Sequence, residues 1–419
     1  MINRKEQPVI KKIESVDFLA PKKLKITPKV SLFHTKNVKD ETTRFDLYFD
    51  AGKVKAENGI ASFVNGLILS GTKEKTSVQI NNDINGLGGF YESGVSIENA
   101  VISMHCLREN ILPIFDTIID AIKNANFPEK EVTEYFSDSK QRMKINSEKV
   151  SYLAQKKFQK LLFANNDKYS STLSLEDYDK VSVEDLKEFH KKNYLKGLTK
   201  VVVVGNVEQN KITHLAESCS QFIADDGATF SSELKNHSTE ERIEKKGAIQ
   251  SAIRVGRTLF NKNHPDYLDF LVLNTILGDY FGSRLMSNIR EDKGYTYGIG
   301  SMISELQKTG YLMVATEVGH EVKDATLQEI KNEFKRLQDE IVAEEELQLV
   351  KNYMLGQLLK SADGPYAMMD LYLSAEIHGK DLNFYNKAIE SIQAISSERI
   401  KELAVKYLDW KEMSVVVVG

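Results

Sequence analysis

The side chains that most often bind metals or attack substrates are few in this chain of 419 residues and lie far apart. No two histidines are closer than the 23 residues between His214 and His237, so no His-x-x-x-His pair can place two metal ligands on one helical turn. The eight histidines are His34, His105, His190, His214, His237, His264, His320 and His378. Cys106 and Cys219 form no C-x-x-C pair, and neither a P-loop nor G-x-G-x-x-G is present. A histidine cluster built from distant positions and a Cys/His nucleophile stay open, although no local motif supports either.

A cation and a phenol seven residues apart are the strongest chemical candidates. They are Arg290 and Tyr297 in the segment Gly282–Ser301, GSRLMSNIREDKGYTYGIGS. Gly294 permits a turn between them, which predicts Arg290 at the end of a helix and Tyr297 on the strand that follows. In the simpler alternative, Arg290 is a surface cation paired with a carboxylate and Tyr297 is a core aromatic.

A second segment of interest is Gly59–Thr72, GIASFVNGLILSGT, where apolar residues recur at helical spacing. The residues that would bury one helix face are Ile60, Phe63, Val64, Leu67 and Ile68. Any amphipathic helix that ends at a glycine has this pattern, and this is the simpler interpretation.

The residues that flank this helix resemble those around the inverted zinc motif H-x-x-E-H of the pitrilysin/insulinase-type metallopeptidases. In that family two histidines hold Zn²⁺ and the glutamate between them activates water. The three positions are Ser62, Asn65 and Gly66 here, whose side chains cannot bind zinc in the usual way. The family's third zinc ligand is a glutamate farther along the chain. The family's spacing from the second histidine, counted here from Gly66, leads to Arg142 within Ser139–Lys144, SKQRMK, which contains no carboxylate. The resemblance therefore implies that this chain binds no metal.

The segment with the cation and the phenol resembles the same family, in which an Arg and a Tyr bind the substrate carbonyl oxygen and stabilise the tetrahedral intermediate. The resemblance gives these roles to Arg290 and Tyr297, and it implies that Gly282 and Ser283 contact substrate. It covers the chain from about Phe45 to Gly419. We expect the Arg/Tyr pair to project into a cavity that faces the first half of the chain.

The chain also repeats itself. Val181–Gly205 and Ile395–Gly419 align at an offset of 395 − 181 = 214 residues, and both end in VVVVG. Further identical pairs are Ser182/Ser396, Glu184/Glu398, Lys187/Lys401, Glu188/Glu402, Lys192/Lys406, and, at offsets of 205 to 207, Phe63/Phe270, Gly71/Gly278, Ile84/Ile289 and Gly89/Gly294. Each long segment predicts a Ser-capped helix followed by a strand buried on both faces. The order of the matches indicates two copies of one domain; the alternative is convergence on a common helix–strand ending.

Each copy combines amphipathic helices with alternating strands, so the predicted fold class is α+β. The predicted strands are Arg44–Asp50, Ala100–Leu107, Ser251–Leu259 and Tyr311–Val318, and a long helical stretch runs from Glu129 to Leu162. The resemblance implies two tandem homologous α/β sandwich domains of the LuxS/MPP-like metallohydrolase fold in a clam-shell arrangement. We predict an N-terminal domain at 1–224, a polar linker at 225–246 and a C-terminal domain at 247–419.

The composition excludes several classes of protein. With 56 basic and 60 acidic residues the net charge is −4, which argues against nucleic acid as a partner. No apolar run approaches the roughly 18 residues of a membrane span. The first residues carry charge but no apolar signal core, so we expect a cytoplasmic protein, or a periplasmic one if a signal peptide has been removed.

Loss of the zinc motif together with an intact Arg/Tyr pair resembles the non-zinc subunit of two-chain family members, such as bacterial paired peptidases and the mitochondrial processing peptidase. The implied partners are a homologous chain that carries H-x-x-E-H and Zn²⁺, and an extended peptide substrate that adds to a sheet edge. Two alternatives are a scaffold that kept the fold without the chemistry and an enzyme with an unrecognised site. A neighbouring coding sequence with H-x-x-E-H would favour the companion subunit, and its absence from the genome would favour the scaffold.

Overall fold

The structure is a computed structural model that describes residues 13–36, 39–222 and 236–419. Its strands are β1 (Lys22–Lys25), β2 (Ser31–Thr35), β3 (Thr42–Phe49), β4 (Phe90–Val95), β5 (Ala100–Leu107), β6 (Leu198–Val204), β7 (Glu240–Ile243), β8 (Gln250–Leu259), β9 (Thr296–Glu305), β10 (Gly310–Gly319) and β11 (Ser414–Val418). They form one sheet of order β1-β2-β6-β3-β5-β4 and a second of order β7-β11-β8-β10-β9. The expected α+β class with two similar halves is confirmed.

Helices cover the sheets. They are α1 (Ile60–Leu67), α2 (Ser77–Asn85), α3 (Ile111–Lys123), α4 (Glu129–Ser147), α5 (Val150–Leu162), α6 (Asp167–Ser170), α7 (Val183–Asn193), α8 (Gln209–Ser220), α9 (Tyr267–Leu277), α10 (Lys323–Asp339), α11 (Glu344–Ser361), α12 (Gly364–Glu376), α13 (Asn383–Ala394) and α14 (Ser397–Tyr407). A π-helical segment, Met286–Asp292, precedes β9. The predicted caps are present, because the Ser182 and Ser396 hydroxyls accept backbone N–H bonds at the starts of α7 and α14.

The strand order confirms the duplication predicted from VVVVG. β6 lies between a parallel neighbour, β2, and an antiparallel one, β3, and β11 lies in the same way between β7 and β8. The glycines that follow, Gly205 and Gly419, have φ values of +145° and +141°, a region that favours glycine. Their N–H groups donate to the last carbonyl of the parallel neighbour, Thr35 at 2.9 Å and Ile243 at 3.0 Å.

The four valines in each of these strands are buried on both faces of their sheets, as predicted. In β6, Val201 and Val203 point into the core of the first half, whereas Val202 and Val204 contact the face that α12 covers. In β11, the alternation is the same, with Val415 and Val417 in the second core and Val416 and Val418 under α5. Two-sided burial explains why a continuous β-branched run occurs here in place of an apolar/polar alternation.

Each half contributes one helix to the sheet of the other half. Helix α5 of the first half packs Ala154 and Phe158 against β8 and β11, and α12 of the second half packs Met369 and Leu373 against β6. Full burial of a side chain such as Phe158 stabilises the fold by about 1.5–3 kcal/mol. The exchanged helices follow α4 and α11 respectively, so the exchange is itself part of the repeated pattern, and the two halves form one packed unit.

Two segments differ from the predicted secondary structure. The predicted helical stretch from Glu129 to Leu162 is two helices, which meet at Glu148 and Lys149. Of the predicted linker, residues 225–235 lie outside the described residues, and Glu240–Ile243 form β7, which pairs in parallel with β11. The second sheet therefore begins inside the segment that the polar composition marked as a linker.

The chain from Ile13 onward contacts the second half of the fold. The Val16 N–H donates to the Asn386 side-chain oxygen at 2.9 Å, and the rings of Phe18 and Tyr385 lie 5.7 Å apart. The domain limits at 224 and 247 stay a prediction. No helix within the described ranges has both the length and the apolar character that crossing a membrane requires.

Candidate functional site

The first helix buries its apolar face as predicted, and the zinc-motif positions lie around the rest of the helix. Asn65 is buried, with 3 % of its surface exposed, and its amide donates to the Tyr194 hydroxyl at 3.0 Å. Burial raises the pKa of Tyr194, and the bond from Asn65 partly opposes that rise. Asn65 is therefore committed to a structural hydrogen bond, while Ser62 is half-buried and lines a pocket.

Gly66 lies beneath an aromatic ring from α4. A β-carbon built on Gly66 would be 2.3 Å from the Tyr135 hydroxyl oxygen, which is far inside van der Waals contact. That hydroxyl lies 3.5 Å from the Ser62 carbonyl oxygen, and the ring packs edge-on against Phe63. Tyr135 thus occupies the volume that a histidine at position 66 would need.

The residues around this helix do not fit a zinc ion. Arg142, at the position counted for the third ligand, is an exposed cation on α4 that donates to the Ser139 hydroxyl at 3.0 Å. Neither Ser62 nor Asn65 supplies an imidazole or carboxylate, and Tyr135 fills the space over Gly66. Across 13–36, 39–222 and 236–419, no three His, Cys, Asp or Glu side chains are grouped as metal ligands would be.

Arg290 is held by the π-helical segment, a form that often occurs at functional sites. Asn288 anchors the segment to α10, since its amide donates to Glu329 at 3.0 Å and to Glu333 at 2.6 Å. Glu333 is fully buried and also accepts from Arg336 at 3.0 Å. This network fixes the backbone from which the Arg290 side chain extends.

Arg290 and Tyr297 lie side by side. The Arg290 Nε donates to the Tyr297 backbone carbonyl at 3.1 Å, and its guanidinium lies over the Phe281 ring, 4.5 Å from the centroid. The nearest carboxylate oxygen recorded for Arg290 is on Glu291, at 3.7 Å. Tyr297 is 94 % exposed, so it is no core aromatic, and its hydroxyl has no partner among the described residues. The phenol is therefore free to meet a bound group, whereas the Arg290 cation is shared with the Glu291 carboxylate.

Both residues line an open cavity of about 640 Å³, which we call the Arg290 groove. A smaller space of about 390 Å³ adjoins it and shares Gln250, Thr296, Tyr297 and Glu317. All lining residues of both cavities belong to the second half, and they include Ala315 and Glu317 on the face of the second sheet that α5 covers. That the cavity faces the first half stays a prediction. The first half approaches through Gln155 of α5, whose side-chain oxygen accepts from Arg254 at 3.4 Å.

Gly282 and Ser283 lie in the loop before the π-helical segment. Gly282 is exposed, whereas Ser283 is 1 % exposed and its hydroxyl has no hydrogen-bond partner within the described part of the chain. The Ser283 carbonyl accepts from the Ser287 N–H at 2.9 Å, which starts the turn toward Arg290. Contact between Ser283 and substrate stays a prediction, and it requires the hydroxyl to become exposed.

Several groove residues were missed from the sequence. Phe281, whose ring lies under the Arg290 guanidinium, immediately precedes the segment Gly282–Ser301. Glu317 and Glu321 bring carboxylates to the groove from β10 and the turn after it. Glu317 could have been found, because it follows Tyr311, Met313 and Ala315 in the two-residue alternation of β10, on the face opposite the core.

Comparison with known families gives two matches, both to one peptidase family. Residues 33–174 match the family described as Insulinase (Peptidase family M16). Residues 180–354 match the Peptidase M16 inactive domain. The two matches follow one another along the chain, and the second begins before α7 of the first half and ends within α11.

Individual relatives are distant but cover most of the chain. An uncharacterized zinc protease, YmxG of Bacillus subtilis, is 22% identical over 348 residues, which is 83% of this chain and 85% of the relative. The mitochondrial-processing peptidase subunit beta of Rattus norvegicus is 21% identical over 407 residues, covering 90% of this chain and 80% of the relative. A crystal structure of a peptidase M16 inactive domain from Pseudomonas fluorescens superposes with a TM-score of 0.86 at 20% identity, over 95% of this chain and 98% of that one. At this identity the structural likeness shows the fold.

Proposed function

Since the chain belongs to the insulinase family of peptidases (peptidase family M16), we propose that it is the companion subunit of a two-chain zinc metallopeptidase. The observation that carries the proposal is a contrast between the two halves. The first half has Ser62, Asn65 and Gly66 in place of the zinc motif, while the second half presents Arg290 and an exposed Tyr297 at an open groove. A chain of this kind can bind a substrate carbonyl but cannot activate water with a metal.

In this proposal the partner is a homologous chain whose H-x-x-E-H motif supplies Zn²⁺ and the general base. Arg290 and the Tyr297 hydroxyl donate hydrogen bonds to the oxygen of the scissile carbonyl as it gains negative charge. The bond from Arg290 Nε to the Tyr297 carbonyl leaves the Nη2 group to point at substrate, while Nη1 lies 3.7 Å from a Glu291 carboxylate oxygen. Phe281 under the guanidinium plane limits its motion, so less order has to be gained when substrate binds.

The substrate is an extended peptide that adds as a strand to a sheet edge. Two edges are candidates, β4 in the first sheet and β9 in the second. On β9 the Ser301 N–H is already bonded to the Gly278 carbonyl at 3.1 Å. Residues Tyr91–Val95 of β4 pair with β5 and make no further backbone hydrogen bond within the described residues, so the other edge of β4 is open. We therefore favour β4 as the edge that a peptide extends.

The second candidate function is a scaffold that keeps the peptidase fold without taking part in peptide hydrolysis. The Arg290–Tyr297 backbone bond favours it, because that bond joins the π-helical segment to the start of β9 and could be a purely structural tie. A neighbouring gene for an H-x-x-E-H chain would favour the companion subunit, and a genome without one would favour the scaffold.

The test is reconstitution. The chain is co-expressed with a candidate H-x-x-E-H protein from the same genome, and both chains alone and together are assayed on a set of fluorogenic peptides. The proposal expects co-purification and cleavage by the pair that exceeds the sum of the separate chains. Equal cleavage by the zinc-bearing chain with and without this protein would contradict it. Cell fractionation of the same strain decides between the cytoplasm and the periplasm.

A further inference from the structure

A second pocket lies beside the first helix and is separate from the Arg290 groove. Its volume is about 310 Å³, at the lower end of the range of about 300–1,000 Å³ for small-molecule sites. We call it the Lys156 pocket, and its walls come from α1, α4, α5 and the turns beside them. The lining residues are Lys53, Ala56, Gly59, Ala61, Ser62, Met143, Tyr152, Gln155, Lys156, Gln159, Ser171, Thr172 and Leu173.

One wall is a polar stripe on α5. Tyr152, Gln155, Lys156 and Gln159 recur at i, i+3, i+4 and i+7, which places them on one helix face, and all four are half-buried. The other face of α5 carries Phe158 and packs on the second sheet. The polar stripe therefore lies on a helix that is held rigidly by the packing of its other face. A polar, solvent-facing stripe would also be expected if α5 served only to pack the two halves together.

The pocket is positively charged. Lys53 and Lys156 line it, and no Asp or Glu is among its lining residues in the described chain. The Lys156 ammonium donates to the Leu173 carbonyl at 2.6 Å, which leaves two of its three N–H bonds unused. Burial lowers the pKa of Lys156, helped by Lys160, while Asp177 and Glu176 nearby oppose the shift.

Asp177 does not neutralise this ammonium directly, because its own carboxylate accepts from Lys180 at 2.9 Å and from the Ser174 N–H at 2.7 Å.

A buried hydroxyl without a partner adds a second polar group to the positive charge. The Thr172 Oγ is inaccessible to solvent and makes no hydrogen bond to any described residue. A buried donor left unpaired is costly, so such a group indicates a missing partner. The remaining walls are carbon, from Ala56, Ala61, Met143 and Leu173.

From this arrangement we propose that the Lys156 pocket binds an aliphatic group that carries a free carboxylate. The carboxylate accepts from Lys156, and from the Thr172 hydroxyl once that side chain rotates to expose its Oγ to the pocket. Lys53 adds positive charge at the pocket, and the aliphatic part lies against Met143 and Leu173. Charge-assisted bonds to a carboxylate are about twice as strong as neutral ones, so the charged form of the ligand is selected. The site lies wholly in the first half and does not depend on a partner chain.

Two sources could supply this chemistry: the C-terminal residue of a peptide and a small free carboxylic acid. Both present the same group to Lys156, and a pair of probes distinguishes them. N-acetyl-leucine represents the small acid, and a heptapeptide that ends in leucine with a free carboxylate represents the peptide. Binding of both assigns the pocket to peptide C-termini, and binding of N-acetyl-leucine alone assigns it to small acids.

The experiment uses the full chain labelled with ¹³C at methionine methyl groups. N-acetyl-leucine is titrated in, with N-acetyl-leucinamide as the neutral match, and affinity is measured by calorimetry. We expect the acid to shift the Met143 methyl signal and to bind at least about tenfold more tightly than the amide, the effect of one charge-assisted bond. Equal affinity of acid and amide, or binding of the acid without a shift at Met143, would overturn the proposal.

Variants complete the test. Lys156→Met removes the charge and keeps the aliphatic stem, and we expect it to weaken binding of the acid by about tenfold or more. Thr172→Val removes the hydroxyl without touching the Lys156–Leu173 bond, so it serves if Lys156→Met disturbs the loop. Lys144→Met, at an exposed position next to Met143, is the charge-matched control and should bind as the wild type does. Wild-type affinity in both Lys156→Met and Thr172→Val would exclude the site.

Discussion

Tyr135 and Gly66 lie so close that any side chain at position 66 requires the Tyr135 ring to move, since a β-carbon there would be 2.3 Å from the Tyr135 hydroxyl oxygen. The two residues are on different helices, α1 and α4, and 69 positions apart in the chain (135 − 66 = 69). The glycine at position 66 and the tyrosine at position 135 therefore depend on each other for their packing. A metal ligand at position 66 would require the Tyr135 ring to move or to be replaced.

This relationship predicts that Gly66→Ala changes the free energy of unfolding in opposite directions in the presence and absence of the Tyr135 ring. Alanine normally stabilises a helix interior by about 1 kcal/mol relative to glycine, whereas overpacking costs about 1–3 kcal/mol. Gly66→Ala should therefore lower the free energy of unfolding in the wild type and raise it by up to about 1 kcal/mol in a Tyr135→Ala background. Urea unfolding measures both. Gly356→Ala in α11, where nothing lies within 4 Å of the new carbon, should stabilise both backgrounds. If Gly66→Ala changed the free energy of unfolding equally in the two backgrounds, the Tyr135 ring would have to move away from the new carbon without strain.

The same packing predicts the behaviour toward zinc. We expect the purified chain to hold no stoichiometric zinc at the first helix. We also expect no zinc to bind to the triple variant Ser62→His/Asn65→Glu/Gly66→His while Tyr135 remains. Metal analysis after dialysis against micromolar zinc measures this. About one zinc per wild-type chain, lost in Ser62→Ala or Asn65→Ala, would contradict the prediction.

Arg290 and Tyr297 should matter for turnover and not for assembly. In the reconstituted pair, Arg290→Ala or Tyr297→Phe should each lower turnover by roughly 10²–10³-fold, the usual effect of losing one oxyanion donor. Their side chains line the groove, so co-purification with the partner should not change. Lys335→Ala on the exposed side of α10 is the control and should keep full activity. Wild-type turnover in the double variant Arg290→Ala/Tyr297→Phe would mean that both residues are structural.

Asn288 should act on Arg290 through the π-helical segment. Asn288→Ala removes a donor from Glu329 and from the buried Glu333, and leaving buried carboxylate oxygens underbonded costs about 1–3 kcal/mol. We expect a loss of stability of this size in urea unfolding, together with faster hydrogen exchange in residues 286–292. Asn352→Ala, at an exposed position on α11, should change stability by less than about 0.5 kcal/mol. Unchanged exchange in Asn288→Ala would show that the backbone holds this segment without the side chain.

Acid should destabilise the fold partly through His190. Burial lowers the pKa of His190, although its bond to the Ile122 carbonyl opposes the shift. The unfolded chain takes up a proton near pH 6.5 while the folded chain resists it, so stability falls as pH falls below about 6.5. The loss ends at the lowered folded pKa. His190→Gln should make the free energy of unfolding less dependent on pH between 7.5 and 5.5, by at most about 1.4 kcal/mol per pH unit. An unchanged slope would assign the acid sensitivity to other groups.

The strands and caps of the repeat could be predicted from sequence, because they depend on local signals. Four consecutive valines suit a strand buried on both faces, and Ser182 and Ser396 cap helices wherever those helices pack. The division between α4 and α5 could not be predicted in this way. No glycine or proline marks Glu148 or Lys149, and the break exists because α5 has to reach the second sheet.

Only those features of the candidate site that depend on residues close together in the sequence could be predicted. The turn at Gly294 placed Arg290 on a helical segment and Tyr297 on a strand, as observed. The filling of the zinc position by Tyr135 depends on a contact between residues 66 and 135, and no pattern within α1 indicates it. The packing of α5 beside the groove could not be predicted from local patterns, because it is a property of the whole fold.

The exchange of α5 and α12 between the halves has a consequence for synthesis on the ribosome. When β6 completes the first sheet at Val204, the side chains that will cover its outer face, Met369 and Leu373, are still untranslated. At about 5–20 residues per second, the 373 − 204 = 169 residues between them take roughly 8–34 s. For that time the nascent chain presents Phe33, Val202 and Val204 to the cytosol or to a chaperone. If the halves were made as two chains, this face would stay exposed until the second chain bound, so a single chain limits the exposure to the time of its own synthesis.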